Sequence, residues 1–434
     1  MNADYVQLAD KYGCPFYIYE ESAIRTQLER LRRALPDFRV LYSVKTNPHA
    51  PILRFMALNG VGADAASAGE VERAAAAGMP AEQILYSAPG KGGEQLRRAL
   101  GRCRVTADSY TELTRLDELA GRFAVAAGVA AMRNDKLPVG LRINPDFSFG
   151  AGEFAAAAPG LSSKFGVDEE SLAEKKEFFQ GLKHIRPAGV HVFLRSQVLN
   201  AEALAASFAA VFKIAARCRE ELGWGLDFIN FGGGLGIGSA LERAEAGREL
   251  DLELLGRLAA ELVRQYERRL PGVKLFLESG RFLVGRAGTF VTRIEDIKES
   301  RGKIHVIAPG GLSGFLRPAM LNLLAGLPGQ TPGPLEPLFS GFDKHRVGLL
   351  KTGPGSTGST GSSGPLKKVT VSGTLCTSLD VLAGEVELPD PQAGDILTVS
   401  EAGAYAATLS PFAFASFDRP AELYRAADGR ISAE

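Results

Sequence analysis

What the chain lacks narrows its function before any motif is considered. Lysine plus arginine number 50 and aspartate plus glutamate also 50, so formal charge cancels. There is no basic footprint for nucleic acid or for an anionic membrane surface. No apolar run approaches the length that spans a bilayer. The opening Met-Asn-Ala-Asp carries an acid instead of a basic flank and no apolar signal core follows; export is not expected, and the cytoplasm is the expected compartment. Four cysteines, Cys14, Cys103, Cys218 and Cys376, are scattered without metal-ligand spacing. Reduced thiols and no metal site are the expectation. What remains is 434 residues with 45% hydrophobic composition, enough for one large domain plus a smaller one.

One pattern repeats from about Asp37 to Ser279: a short β-branched or aromatic run, a polar or glycine-containing turn, then an alanine- and leucine-rich helical stretch. Eight runs follow it: Phe38 to Lys45, Val61 to Ala65, Gln83 to Ser87, Arg104 to Ala107, Pro138 to Ile143, Ala188 to Leu194, Leu226 to Phe231 and Val273 to Glu278. The alternation predicts an α/β chain with a parallel sheet closed into a (β/α)8 TIM-type barrel; a doubly wound open sheet is the competitor. Polar residues close or directly follow the runs, at Lys45, Asp64, Ser87, Asp108, Asn144, Ser196, the glycine triplet and Glu278. Barrel enzymes keep their chemistry at that end.

The texture changes after Arg281 to short β-type runs: Gly288 to Ile297, Lys303 to Ile307, Val369 to Val371, Glu385 to Leu388 and Asp395 to Val399. The division expected is a barrel over 24–280 and a β domain over 281–434 that residues 1–23 join through Phe16-Tyr-Ile-Tyr19. Residues 352–365, almost all glycine, serine, threonine and proline, read as a flexible surface loop.

Four strings carry chemistry: Tyr42-Ser-Val-Lys45-Thr-Asn47, Phe231-Gly-Gly-Gly-Leu-Gly236, Glu278-Ser-Gly-Arg281 and Gly373-Thr-Leu-Cys376. A lysine at a barrel mouth can condense with a cofactor aldehyde as a Schiff base; taken alone, Lys45 reads better as a lysine snorkelling at a strand end. The triple glycine follows the seventh run, where barrels build phosphate sites, and lets backbone N–H groups approach phosphate oxygens. Its bland alternative is a tight turn. Glu278 suits the nitrogen of a protonated pyridine ring, which it keeps an electron sink, and Arg281 suits a phosphate. By themselves the two read as a surface ion pair. Cys376 can return a proton to a carbanion, or simply be buried. Tyr405 can bond a phosphate or serve as a sheet aromatic.

Taken in order, these strings resemble the alanine-racemase-like pyridoxal-phosphate enzymes, in the ornithine/diaminopimelate/arginine decarboxylase branch. Ala63-Asp64-Ala-Ala-Ser67-Ala-Gly-Glu70, Ser87-Ala-Pro-Gly-Lys91, Arg142-Ile-Asn144-Pro, Lys164-Phe-Gly166, Gly189-Val-His191 and Ala402-Gly-Ala-Tyr405 complete the set. The resemblance implies a pyridoxal 5'-phosphate-dependent amino-acid decarboxylase, a carboxy-lyase, with Lys45, Cys376 and Glu278 catalytic. It implies cofactor contacts from Lys45, Asp64, Arg142, His191, Phe193, Ser196, Gly233, Gly234, Glu278, Gly280, Arg281 and Tyr405, with Glu70 in support. It also implies a homodimer whose partner supplies the cysteine-bearing loop across the interface.

Departures from the family pattern bear on substrate. Phe193 stands where a histidine usually covers the cofactor ring, and it can stack but not exchange protons. Arg195 replaces a small glycine, Thr377 replaces the acid after the cysteine, and Ala308 stands in the usual acid-Gly-Gly pattern. Phe193, together with Asn144-Pro-Asp-Phe-Ser-Phe-Gly150 and Leu375-Cys376-Thr377, resembles the secondary-metabolite branch, which takes elaborated or carrier-protein-tethered amino acids. Arg317 keeps diaminopimelate as an alternative by offering a carboxylate clamp, with Thr377 and Asp380 as further substrate contacts. A racemase, an inactive regulatory homologue that binds a partner, and a bare barrel without cofactor are the other readings.

Overall fold

The computed structural model describes residues 4–126, 136–146, 163–193, 196–238, 249–325, 345–352 and 364–433. The expected 352–365 loop, Arg195 and residues 147–150 lie wholly or largely outside these. The chain divides into two compact units: Leu28–Gly236 with Leu250–Gly280, and Met1–Gln27 with Ile237–Glu249 and Arg281–Glu434.

In the first unit, apolar runs become strands buried on both faces. Phe38–Ser43 exposes only Arg39. It pairs in parallel with Lys274–Ser279 on one side, Leu277 against Val40, and with Gly62–Ala65 on the other. Ile84–Tyr86, Arg104–Ala107, Leu137–Asn144, Ile185–His191 and Phe228–Asn230 continue the sheet until Phe228–Asn230 meets Lys274–Ser279. That is a closed parallel barrel of eight strands. All eight expected runs hold a strand. The first stops at Ser43, because Val44–Thr46 turn into a 3-10 segment, so Lys45 follows its strand instead of ending it.

Helices that return the chain are capped by short polar side chains: Asn200 accepts from the Ala203 N–H at 2.7 Å and Asp251 from the Leu254 N–H at 2.8 Å. Ser67 accepts from Glu70 while the Glu70 carboxylate accepts from Ala66, a reciprocal start for Ala68–Ala76. Inside the barrel Leu41, Leu85, Phe228 and Phe276 form a buried plug. Gly189 is needed beside it, since a Cβ there would lie 2.2 Å from the Phe228 ring.

The second unit contains two sheets. Six strands run in the order Val347–Leu350, Ile396–Val399, Gly288–Arg293, Phe16–Glu20, Ala421–Arg425, Ile431–Ala433. Phe16–Glu20 therefore joins the later β-rich region, antiparallel to Gly288–Arg293 and parallel to Ala421–Arg425. The other sheet orders Asp296–Ser300, Lys303–Ile307, Leu366–Ser372 and Val381–Pro389. The run read as Gly288 to Ile297 is thus two strands, broken at Ile294 and Glu295, whose N–H groups turn to Asp395 and Ile307. Among the described residues no helix is long and apolar enough to cross a membrane.

Candidate active site

Ionisable residues collect at the C-terminal ends of the barrel strands. Lys45 Nζ lies 2.8 Å from Asp64 Oδ2, with the lysine side chain 45% accessible and the carboxylate 1%. Ser43 donates to the same oxygen at 2.9 Å, and Ser87 to the other at 2.8 Å. Burial pushes the Asp64 pKa up, but the Lys45 charge and these hydrogen bonds outweigh it, and the net shift is downward. Asp64 is therefore a fixed anion beneath a reachable amine.

Glu278 is the opposite case. It is buried, accepts from Asn230 Nδ2 at 2.7 Å and has His191 Nε2 3.2 Å away. Burial first, and repulsion from Asp64 second, push its carboxyl up to about 7 against relief from Lys45, Asn230 and Arg142. His191 is held well below its ordinary value by burial and then by the Arg142 charge. Neutral imidazole results, and neither ring nitrogen makes a hydrogen bond to the chain. Arg142 sits 3.7 Å from Asp108 and over the rings of Phe165 and Phe193, at 4.4 and 5.9 Å. Burial lowers its pKa and raises that of Asp108.

The glycine loop lies close against the same rim. Gly232 takes φ +64°, its N–H donates to Asn230 Oδ1 at 3.0 Å, and its carbonyl accepts from Glu278. A Cβ on Gly233 would come 3.0 Å from the Glu278 carbonyl, and one on Gly280 2.0 Å from Thr46 Oγ1. These positions leave backbone where side chains would otherwise stand. A phosphate-bearing aromatic aldehyde fits this donor set: a reachable amine, a buried acid whose pKa is pushed up, a neutral imidazole and a glycine cradle.

The remaining expected residues divide between exposed positions and the second unit. Phe193, 39% exposed, and Ser196 stand at the surface of the barrel unit. Glu70, expected to support the lysine, instead holds the Ala66 N–H at 2.7 Å as a helix cap. In the second unit the Arg281 guanidinium lies 5.1 Å over the Tyr405 ring, and Tyr405 takes φ +56°. Ala402 and Gly403 donate to Gly288 and Gly285 and so fix that loop. Cys376 is exposed. Asp380, expected near substrate, is 3% exposed and accepts the N–H groups of Leu312 and Leu375 on its two oxygens. Arg317, expected as a clamp, is 1% exposed and donates to the Ala404 carbonyl at 2.7 Å.

Two participants escaped the sequence reading. Asn230 precedes the glycine loop and bonds both Glu278 and Gly232, a position that an amide at a strand end advertises. Glu112 accepts from the N–H groups of Lys91 and Asp108 and pairs with the Lys91 ammonium at 2.8 Å. Among the described residues no group of three or more histidine, cysteine or acidic side chains is arranged to hold a metal.

The family of pyridoxal-dependent decarboxylases, through its pyridoxal binding domain, matches residues 21–285. The chain belongs to that family. It is a pyridoxal-phosphate-dependent carboxy-lyase acting on an amino acid. It is 31% identical to diaminopimelate decarboxylase of Methanothermobacter thermautotrophicus, over 97% of this chain and 89% of the relative. To the L-glutamyl-[BtrI acyl-carrier protein] decarboxylase of Niallia circulans it is 29% identical, over 98% and 91%. The crystal structure of Helicobacter pylori diaminopimelate decarboxylase complexed with L-lysine shares the fold, with TM-score 0.79 and 24% identity over 99% of this chain and 95% of that one.

Proposed function

We propose that this decarboxylase removes the α-carboxylate of an elaborated or carrier-tethered amino acid, releasing carbon dioxide and an amine. The observation that carries the finer part is the condition of Asp380 and Arg317. A free diamino-dicarboxylate needs partners for a distal ammonium and a distal carboxylate. Asp380 already accepts a backbone N–H on each oxygen, Arg317 is buried against the Ala404 carbonyl, and Thr377 carries no charge. The resemblance to the carrier-protein glutamyl decarboxylase of Niallia circulans supports the same reading.

Pyridoxal phosphate, when bound, supplies an aldehyde for amines and a ring that accepts the electron pair left as carbon dioxide departs. Lys45 would hold it, with Asp64 fixing the ammonium end through the 2.8 Å contact. Glu278, its carboxyl pushed up to about 7 chiefly by burial, would hold the ring nitrogen. Gly233, Gly234, Gly280 and Ser196 would enclose the phosphate, Arg142 and His191 would border the ring, and Phe193 would cover it. Cys376 would protonate the α carbon, donated by a second copy of the chain. Exposed apolar side chains near it in sequence or on the following loops, Leu379, Leu409, Phe414 and Phe417, support burial in such a homodimer. Cysteines without disulfide partners suit a reducing cytoplasm.

Decarboxylation of free diaminopimelate is the second reading, favoured by the 31% identical relative of that name. A non-catalytic homologue is disfavoured because Lys45 retains its acid and Cys376 its exposure. Mass-spectrometric detection of a loss of carbon dioxide, with meso-diaminopimelate, free glutamate and carrier-linked glutamyl and other aminoacyl groups offered separately, tests the choice. Turnover confined to carrier-linked substrates supports the proposal. Efficient turnover of free diaminopimelate overturns it in favour of the second reading.

A further inference from the structure

The end of the barrel away from Lys45 has its own hollow. It lies at the start of the strands, bordered by the first residues of the first, fourth and eighth, Phe38, Arg104 and Lys274, and by the turn at Glu82. Its volume is about 670 Å³, within the range that small-molecule sites occupy. Leu41 and Phe276, both buried, line it and belong to the plug that fills the barrel interior. Gly62 is required there, because a Cβ would lie 2.2 Å from the Gln83 carbonyl oxygen and 2.7 Å from Leu41 Cδ2. The hollow is therefore a closed-floored pocket, separated by packed side chains from the strand ends that carry the candidate active site.

Its charge is one-sided. Arg32, Arg39, Arg104 and Lys274 line it against one carboxylate, Glu82. Arg32 and Arg104 donate to main-chain carbonyls, of Asn59 at 2.5 Å and Glu82 at 2.9 Å. Such bonds orient a guanidinium without neutralising it. Among the described residues none of the four cations meets a carboxylate. Elsewhere on the same unit exposed arginines do find acids: Arg97 with Glu94, Arg98 with Glu72, Arg186 with Asp227, Arg269 with Glu220. In a chain of zero formal charge, four cations converging on an apolar-floored cavity without carboxylate partners among the described residues create a local field that concentrates anions. Planar guanidinium forks favour phosphate oxygens, and the apolar floor favours an organic body attached to them.

We propose that this hollow binds a small organic polyphosphate, a second site distinct from the cofactor's. Adenosine triphosphate and inorganic pyrophosphate are the probes. Calorimetric titration of the pyridoxal-phosphate-saturated dimer or monomer, as isolated, keeps the cofactor's own phosphate site out of the measurement. The triphosphate should bind more tightly than pyrophosphate. Its affinity should fall by about tenfold or more between roughly 50 and 300 mM salt. Arg39→Ala combined with Lys274→Ala, two exposed positions, should weaken it by about tenfold or more and leave melting temperature and turnover unchanged. Arg97→Ala with Arg269→Ala, cations paired elsewhere on the surface, should leave binding as it was. No measurable binding by the parent protein, or equal loss in both double variants, overturns the proposal, and neither result bears on the decarboxylase reading.

Discussion

Two lysines of the barrel unit stand 2.8 Å from a carboxylate, and they differ in whether a ligand can reach them. Lys45 reaches Asp64 with 45% of its side chain accessible. Lys91 meets Glu112 with its side chain at 0% and its acid at 3%. The Lys91 ammonium also donates to the Ala88 carbonyl and lies 5.4 Å from the Tyr86 ring, while Glu112 holds two backbone N–H groups. Burial pulls the Lys91 pKa down and Glu112 opposes it. Ion pairs of the same length thus differ in surroundings: one is sealed in the core, and the other stands where a ligand can reach its lysine. Accessibility, not the pairing, separates them.

The comparison breaks most severely if Lys45 is dispensable. Lys45→Ala should lower turnover by about a thousandfold or more and remove the visible absorbance of bound cofactor, with the fold intact by circular dichroism. Turnover within tenfold of the parent would show that the accessible lysine is not the reactive one.

Lys91→Met should act on stability instead. Leaving Glu112 buried without its cation costs about 3–5 kcal/mol, read as a lowered denaturant midpoint, and Lys91→Met with Glu112→Gln should recover most of it. A large loss of activity at unchanged stability would erase the distinction between the pairs.

Glu278 sharpens the contrast through pH. Folded, its carboxyl keeps a proton to about 7, whereas the ordinary value is 4.5. Between those values the folded, cofactor-stripped protein binds more protons than the unfolded chain, so stability falls as pH rises. At about 1.4 kcal/mol per unit the whole window is worth about 3 kcal/mol. Asp64, shifted downward, works in the other sense, its contribution being present above its ordinary value and lost in acid. Glu278→Gln should flatten the slope between pH 4.5 and 7 in denaturation of the stripped protein; an unchanged slope would place the uncompensated acid elsewhere.

Asp380→Asn should have the smallest effect. The Leu312 and Leu375 N–H groups lose a charged acceptor, at about 1–3 kcal/mol. Proteolysis at the Cys376 loop should become faster, with KM changing no more than about twofold if the carboxylate does not meet substrate.

The barrel was legible because its strands are short apolar runs bounded by glycine and polar turns, repeated at helix-length intervals, and because its chemistry sits at one end of each. The later region was less so. The helix Asp4–Tyr12 and the strands Val347–Leu350, Ala421–Arg425 and Ile431–Ala433 were passed over. Ala421–Arg425 mixes Glu422 and Arg425 with apolar residues without strict alternation, and becomes a strand through pairing with Phe16–Glu20, some four hundred positions away. Local pattern carries no information on such a partner.

The sequence alone determined the eightfold strand–helix alternation and the motif order, which rest on residue types at short spacings, and the resemblance of that order to a known family implied the cofactor. Tertiary structure alone decided which charged groups remain available. Only the fold buries Asp380 and Arg317 and gives them backbone partners, and only the fold seals Lys91 while leaving Lys45 accessible. The physical reason is that accessibility and hydrogen-bond satisfaction depend on residues far apart in the chain, whose convergence no local spacing encodes.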